Sequence, residues 1–212
     1  MEKIIAGDLL KIKAVFLKPQ DPFTWASGIK SPIYCDNRLT LSYPEVRRDV
    51  EQALAEIVKE YYPDCQVLMG TATAGIAHAA LTAEILNLPM GYVRGSAKDH
   101  GRKNQIEGKC EPGTKAVIIE DLISTAGSSV ETAAALREAG AEVLGIASIF
   151  TYGMSRADEN MKAHDLVNHS ACTYDTLLET AAELGYIKKE NIPGLLAFRN
   201  HPDDPSWMEQ IH

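Results

Sequence analysis

The stretch that most constrains this chain is Ala116-Val117-Ile118-Ile119-Glu120-Asp121-Leu122-Ile123-Ser124-Thr125-Ala126-Gly127-Ser128-Ser129. It begins with an apolar run that holds three β-branched residues in a row and has no polar side. Such a run fits a strand covered on both faces, as inside a parallel sheet. Two carboxylates, Glu120 and Asp121, follow where the strand is expected to end. A loop of small and hydroxyl residues comes next. Ser128-Ser129-Val130-Glu131 then opens a helix in a capping-box pattern, with Ser128 at the N-cap and Glu131 three residues on. A helix N-terminus at the end of such a loop offers unpaired N–H groups and the positive end of the helix dipole. That suits an anion, above all a phosphate monoester, with the hydroxyls of Thr125, Ser128 and Ser129 as further donors. The acid pair does not suit a bare phosphate and must face ribose hydroxyls or a bound cation. A sugar phosphate that carries a diphosphate matches that order of groups. The competing reading is a strand end with solvated acids before a capped helix. The succession of strand, acid pair and hydroxyl loop favours the binding site.

A second strand–loop–helix unit precedes it. Gln66-Val67-Leu68-Met69-Gly70 reads as a short strand, Thr71-Ala72-Thr73-Ala74-Gly75 as its loop, and a helix runs on to about Leu86. The small loop serves either a diphosphate or close helix–sheet packing. His78, on that helix, reads as a packed or surface histidine rather than a catalyst. Pro89 to Arg94 suggests the next strand and Glu142 to Thr151 a later one. Between them lies a long polar segment, Gly95 to Gly108, rich in cations: Lys98, Arg102, Lys103 and, conditionally, His100, with Arg94 just before it. The net charge is -8, so this local positive charge needs a reason. It reads as a lid over a polyanion rather than a solvated hairpin tip. Strands alternating with helices give a doubly wound α/β sheet with its site at the strands' carboxyl ends.

Other segments set the frame. Glu2 to about Leu17 is expected to be one amphipathic helix, with Ile5, Leu9, Ile12 and Phe16 near one face. Ser42-Tyr43-Pro44-Glu45 reads as another capping box before a helix marked by Val46, Val50, Leu54, Ile57 and Tyr61. Gly140 is a plausible stop for the helix after the acid pair, and Thr173 a cap for a later one. At 212 residues the chain can hold a full core. The acidic balance argues against broad nucleic-acid or membrane binding. The N-terminus lacks a signal-peptide apolar run, and no segment is long enough to span a bilayer. Cys35, Cys65, Cys110 and Cys172 are widely spaced and read as reduced thiols, so the expected location is cytoplasmic.

The Ala116–Ser129 stretch resembles the phosphoribosyl-diphosphate loop of the type I phosphoribosyltransferases. Phe23-Thr24-x-x-Ser27-Gly28-x-x-Ser31-Pro32-x-Tyr34 resembles the hood segment of the orotate phosphoribosyltransferases, and Arg94…Lys98-Asp99-His100-Gly101 resembles their catalytic loop. The resemblance covers nearly the whole chain and is weakest after about residue 152. It implies a doubly wound, mostly parallel α/β sheet in a single domain over 1–212. A small hood over the base pocket would be formed by about 1–40 with C-terminal segments. It also implies magnesium-dependent transfer of phosphoribose from 5-phosphoribosyl 1-diphosphate to orotate, a step of de novo pyrimidine (UMP) biosynthesis. On the resemblance Arg94, Lys98 and His100 are catalytic and bind the diphosphate. Glu120, Asp121, Leu122, Ile123, Ser124, Thr125, Ala126, Gly127 and Ser128 bind the phosphoribosyl part. Ser124 and Thr125 lie at the pocket mouth, Tyr34 stacks on orotate, and Lys30 is the candidate for its carboxylate. Mg²⁺ would be held mainly by substrate and water, near Glu120 and Asp121. The implied assembly is a homodimer whose lid reaches the neighbouring site, with no nucleic-acid or membrane partner. The chain departs from many members at Ala26, Ala74 and Gly95, where they carry lysine. The alternatives are a transferase for another base and a non-catalytic sensor of phosphoribosyl diphosphate. The hood signature and the Lys98-Asp99-His100 loop argue against a purine enzyme, and the lack of a broad basic surface argues against a nucleic-acid-binding sensor.

Overall fold

Val117 and Ile119 pack on one side of their strand, Ala116 and Ile118 on the other, and all four are fully buried. This is the alternation of a central strand with both faces covered. The computed structural model describes residues 1–24, 28–95 and 105–212. The chain starts with α1 (Glu2–Lys11) and four short strands, β1 (Val15–Leu17), β2 (Phe23–Thr24), β3 (Lys30–Ser31) and β4 (Ile33–Cys35). A 3-10 turn (Asn37–Ser42) leads to α2 (Pro44–Tyr61), β5 (Val67–Thr71), α3 (Gly75–Leu86), β6 (Met90–Val93) and β7 (Ile106–Glu107). The central strand is β8 (Lys115–Ile123), followed by α4 (Gly127–Glu138), β9 (Glu142–Thr151), α5 (Ser155–Ala163), β10 (Asn168–Thr173), α6 (Tyr174–Glu183) and α7 (Ile192–Asn200).

Among the described residues one sheet has six strands in the order β10-β9-β8-β5-β6-β7. Every neighbouring pair is parallel except β6 with β7. The chain steps from β5 to β6 on one side and from β8 through β9 to β10 on the other. The order therefore reverses between β5 and β8, and a ligand crevice opens at the carboxyl ends of strands flanking such a reversal. Helices α1, α2, α3, α6 and α7 supply one hydrophobic cluster, with Leu9, Leu54, Ala79, Leu177 and Phe198 among its members. Helices α4 and α5 supply the other, through Ala133, Leu136, Ala157 and Met161. The doubly wound, mostly parallel sheet read from the sequence is present. At Gly75 a Cβ would lie 2.4 Å from the Ile119 carbonyl oxygen, so only glycine lets α3 start this close to β8. No helix among the described residues is long and apolar enough to cross a membrane.

Two small sheets stand apart from the main one: β1 pairs with β4, and β2 with β3, both antiparallel. The chain just after β4 is tied to the main sheet by Asn37, whose Nδ2 donates to the Asp121 carbonyl at 2.7 Å.

Three local expectations are corrected. The first helix ends at Lys11, Lys13 takes φ +60°, and Val15-Phe16-Leu17 forms β1 instead. Phe16 follows Ile12 at a helical interval, but its backbone pairs with Tyr34, and the β-branched and aromatic residues settle into a ladder. Ser42 does not cap α2; Tyr43 stands at the N-cap without a side-chain bond, and Pro44 opens the helix. Pro44 has its φ already set for the first helical position, so the helix opens on it without a capping hydroxyl. Ser128 does not cap α4 either. The helix begins two residues earlier, with Ala126 at the N-cap position at φ +62°. The expected stop at Gly140 holds: it takes φ +91°, and Ala141 N–H reaches back to the Leu136 carbonyl at 3.0 Å in a Schellman closure. Thr173 caps α6, accepting from Thr176 N–H.

Candidate functional site

Strand β8 carries the acid pair inside its run rather than at its end, and consecutive strand residues face opposite ways. Glu120 turns toward α4 and is buried. Its carboxylate accepts from Ser128 Oγ at 3.0 Å, Ser129 Oγ at 3.1 Å and the Asp121 N–H at 3.1 Å. This explains the missing cap: a buried carboxylate beneath the first turn draws the hydroxyls that were expected to close the helix end. Burial first, then the hydrogen bond and charge of Asp121, push the Glu120 carboxyl up to about 8. Asp121 is only partly buried and faces the 3-10 turn at Asn37–Ser42.

Beyond the acids, Leu122 and Ile123 are the last rungs of β8 beside Phe150 and Thr151. The Ile123 side chain is buried and its carbonyl accepts from Tyr152 N–H, so these two contribute backbone position rather than ligand-seeking side chains. Ser124, Thr125, Ala126 and Gly127 make the turn into α4. Thr125, Gly127 and Ser128 are exposed. As first-turn residues, Gly127, Ser128 and Ser129 have N–H groups with no partner within the helix. The expected anion cradle therefore has its backbone donors, while the Ser128 hydroxyl is held by Glu120.

The reversal in strand order brings the second loop alongside. Thr71 and Ala72 at the end of β5, Val93 and Arg94 at the end of β6, and Ser128, Glu131 and Thr132 of α4 line one narrow crevice of about 40 Å³. Arg94 pairs with Glu107 across 3.2 Å and its N–H donates to the Gln105 carbonyl at 2.8 Å. One cation expected on the diphosphate thus shares a crevice with the cradle. Lys98 and His100, expected beside it, lie outside the described residues, as do Ala26 and most of the expected lid.

On the opposite side the hood meets the loop. Tyr34, on β4, is half exposed, with its ring 5.8 Å from Phe23. Lys30, on β3, is exposed and donates to Thr24 Oγ1 at 2.7 Å. Ile29 and Thr125 line a cavity of about 630 Å³ with Met154, Ser155, Arg156 and the segment from Arg199 to Asp204.

Sequence reasoning passed over Asp36, Asn37 and Arg38. Arg38 grips Asp36 through two bonds, at 2.6 and 2.8 Å, which holds the Asp36 carboxyl below its usual range. The charge of Asp121 and the Tyr34 phenol also act on the guanidinium. The available signal was a polar triplet directly after the apolar β4 in a segment already singled out. His78 is the packed histidine expected: it is fully buried, with Nδ1 2.7 Å from Glu51.

A metal would find few protein ligands. The described residues hold no group of three or more His, Cys, Asp or Glu side chains placed to bind one. Asp121, partly exposed on β8, is a hard oxygen donor. This donor set fits an ion carried mostly by substrate and water oxygens, as Mg²⁺ prefers.

Comparison with known proteins agrees with this geometry. The phosphoribosyl transferase domain family model matches residues 41–176. The chain is 54% identical to the orotate phosphoribosyltransferase of Bacillus subtilis (strain 168), over 99% of this chain and 97% of that one. Among solved structures, the orotate phosphoribosyltransferase from Aeropyrum pernix matches with TM-score 0.74 and 28% identity, covering 86% of this chain and 98% of its own. Leishmania donovani UMP synthase matches with TM-score 0.79 and 28% identity, over 92% of this chain and 41% of that longer one.

Proposed function

The chain belongs to the phosphoribosyltransferase family, in its orotate phosphoribosyltransferase branch, and from this premise we propose how its site works. The reaction moves phosphoribose from 5-phosphoribosyl 1-diphosphate to orotate, giving orotidine 5′-phosphate and diphosphate in pyrimidine biosynthesis. One observation carries the assignment of roles: at the reversal of strand order Arg94 shares a crevice with Ser128, the cradle residue whose hydroxyl donates to Glu120 of the acid pair.

The first-turn N–H groups of α4 and the Thr125 hydroxyl bind the 5-phosphate. Arrival of the phosphate gives the Ser128 hydroxyl a second acceptor beside Glu120. Asp121 orients the ribose hydroxyls, and Glu120 supports them from below. As the bond from the anomeric carbon to diphosphate breaks, positive charge grows on the sugar and negative charge on the leaving group. The Asp121 carboxylate favours the former. Arg94, with Lys98 and His100 assigned by resemblance, stabilises the latter. The orotate nitrogen forms the new bond to that carbon and gives up its proton to the departing diphosphate or to water, with Tyr34 packed on the ring and Ser124 at the pocket mouth. Lys30, on the hood, donates to Thr24 Oγ1 and is not among the residues lining the cavity beside Thr125. Asp121, together with substrate and water oxygens, would hold Mg²⁺, which would supply positive charge against the diphosphate. No nucleophilic side chain is required.

The protein acts as a homodimer in the cytoplasm, each lid serving the neighbouring site, and residues 1–212 form one domain capped by the hood. The test follows orotate absorbance with enzyme, phosphoribosyl diphosphate and Mg²⁺. Orotate is consumed by the wild type and not by Asp121→Asn or without metal. Full turnover by Asp121→Asn would overturn the role given to the acid pair.

A further inference from the structure

An acceptor base with a carboxylate needs a cation in its pocket, and the Lys30 ammonium is turned to Thr24 on an exposed hairpin. The cavity between Ile29 and Thr125 is lined instead by two arginines, Arg156 at the start of α5 and Arg199 at the end of α7. Its position is right for a base: Thr125 belongs to the phosphate cradle, and Met154 follows the carboxyl end of β9, the neighbour of β8.

Arg199 is built into place. Its side chain is only 20% exposed. One Nη donates to Asp175 and Nε donates to Asn200 Oδ1 at 3.2 Å. Its aliphatic stem packs over Gly153, where an added Cβ would come within 3.8 Å of the Arg199 Cδ. Two anchoring bonds leave three of the five guanidinium N–H donors for a ligand, as an order of count. The acidic residues of the same cavity sit at its rim: Asp203 and Asp204 are exposed, and Asp204 accepts from Ser206 N–H at 2.9 Å. A fixed planar fork is the best partner for a carboxylate, because it makes two parallel charged bonds with little further ordering.

We propose that Arg199, with Arg156 as the second cation of the cavity, receives the carboxylate of the acceptor base and so sets the choice of orotate over pyrimidines that lack this group. The proposal rests on the reaction given above and deepens it.

The test compares orotate with its methyl ester, which keeps the ring and removes the charge. In the wild type orotate binds better than the ester. Arg199→Gln is expected to weaken orotate by about 10- to 100-fold, to leave phosphoribosyl diphosphate affinity within about twofold, and to abolish the preference over the ester. Arg156→Gln, at an exposed position where folding is not at stake, shifts the preference in the same direction by less, and Arg199→Lys recovers part of the loss. Unchanged orotate affinity in both glutamine variants overturns the proposal. So does equal weakening of acid and ester, which would mark a structural role, and so does a loss seen only in Lys30→Ala. A wild-type protein that fails to consume orotate refutes the reaction itself, whereas normal turnover with insensitive arginine variants refutes this inference alone.

Discussion

Glu120→Gln isolates the energetic consequence of burying a carboxylate beneath the phosphate loop. The folded state holds this carboxyl at about 8 against an ordinary 4.5, with burial as the leading cause. Below pH 4.5 the group is protonated in both folded and unfolded chains and has no effect on stability. As pH rises toward 8 the unfolded chain loses its proton and the folded chain keeps it, so stability falls. Above pH 8 both are ionised and the full cost remains, about 5 kcal/mol for a displacement of this size. The hydroxyls of Ser128 and Ser129 and the Asp121 N–H favour the ionised form but do not outweigh desolvation. Glutamine keeps the shape and has no charge to lose. Urea unfolding of wild type and variant at pH 5, 7 and 9 is the assay. The stability difference should move in favour of the variant by about 4 kcal/mol between pH 5 and pH 9, a relative midpoint shift of about 2 M urea. Groups that do not interact with Glu120 titrate equally in both proteins and cancel. A difference that stays constant to within about 1 kcal/mol across that range would refute the reasoning.

Two further predictions follow from how the site is assembled. If each lid serves its neighbour, mixing inactive Lys98→Ala with inactive Asp121→Asn should restore up to about one quarter of wild-type activity per dimer, since half the dimers are mixed and each has one intact site; no recovery after verified subunit exchange would place lid and acid pair in the same chain. Asn37→Ala removes the bond that ties the hood to the Asp121 carbonyl, and should cost about 1–3 kcal/mol in unfolding experiments while raising the KM for orotate more than that for phosphoribosyl diphosphate; a uniform change in both KM values would show that Asn37 does not act through the hood.

The parts of the fold that were legible are those where one local signal had no competitor. A run such as Val117-Ile118-Ile119 has no polar side to expose, so it had to be covered twice, and the two hydrophobic clusters cover it. Gly140 closed its helix because no other residue nearby tolerates that backbone as readily. Errors arose where two local patterns coincide. Phe16 extends the helical spacing of Ile12 and equally well joins a strand, and only the presence of Tyr34 and Cys35 across the ladder decides between them. Nothing within residues 2–17 contains that information.

The site divides along the same line. Its backbone part, a strand and loop opening a helix, is written in consecutive residues and was legible. Its side-chain part depends on what lies opposite, and there the sequence pattern misled. Ser128 with Glu131 satisfies the spacing of a capping box, yet a carboxylate eight residues earlier outcompetes the helix end for its hydroxyl. Asp36, Asn37 and Arg38 carry no motif that names a function, because their meaning comes from Asp121, eighty-four residues beyond Asn37. Arg156 and Arg199 are still less visible, as single basic residues on separate helices that only the C-terminal segment brings into one cavity. A phosphate can be held by one loop, because the donors it needs are neighbouring amides. A planar base with a carboxylate must be enclosed from several sides, and on the role proposed for Arg199 its recognition is distributed over the hood, the β9–α5 connection and α7. Specificity for the base is therefore the property that sequence motifs describe least and the folded chain describes best.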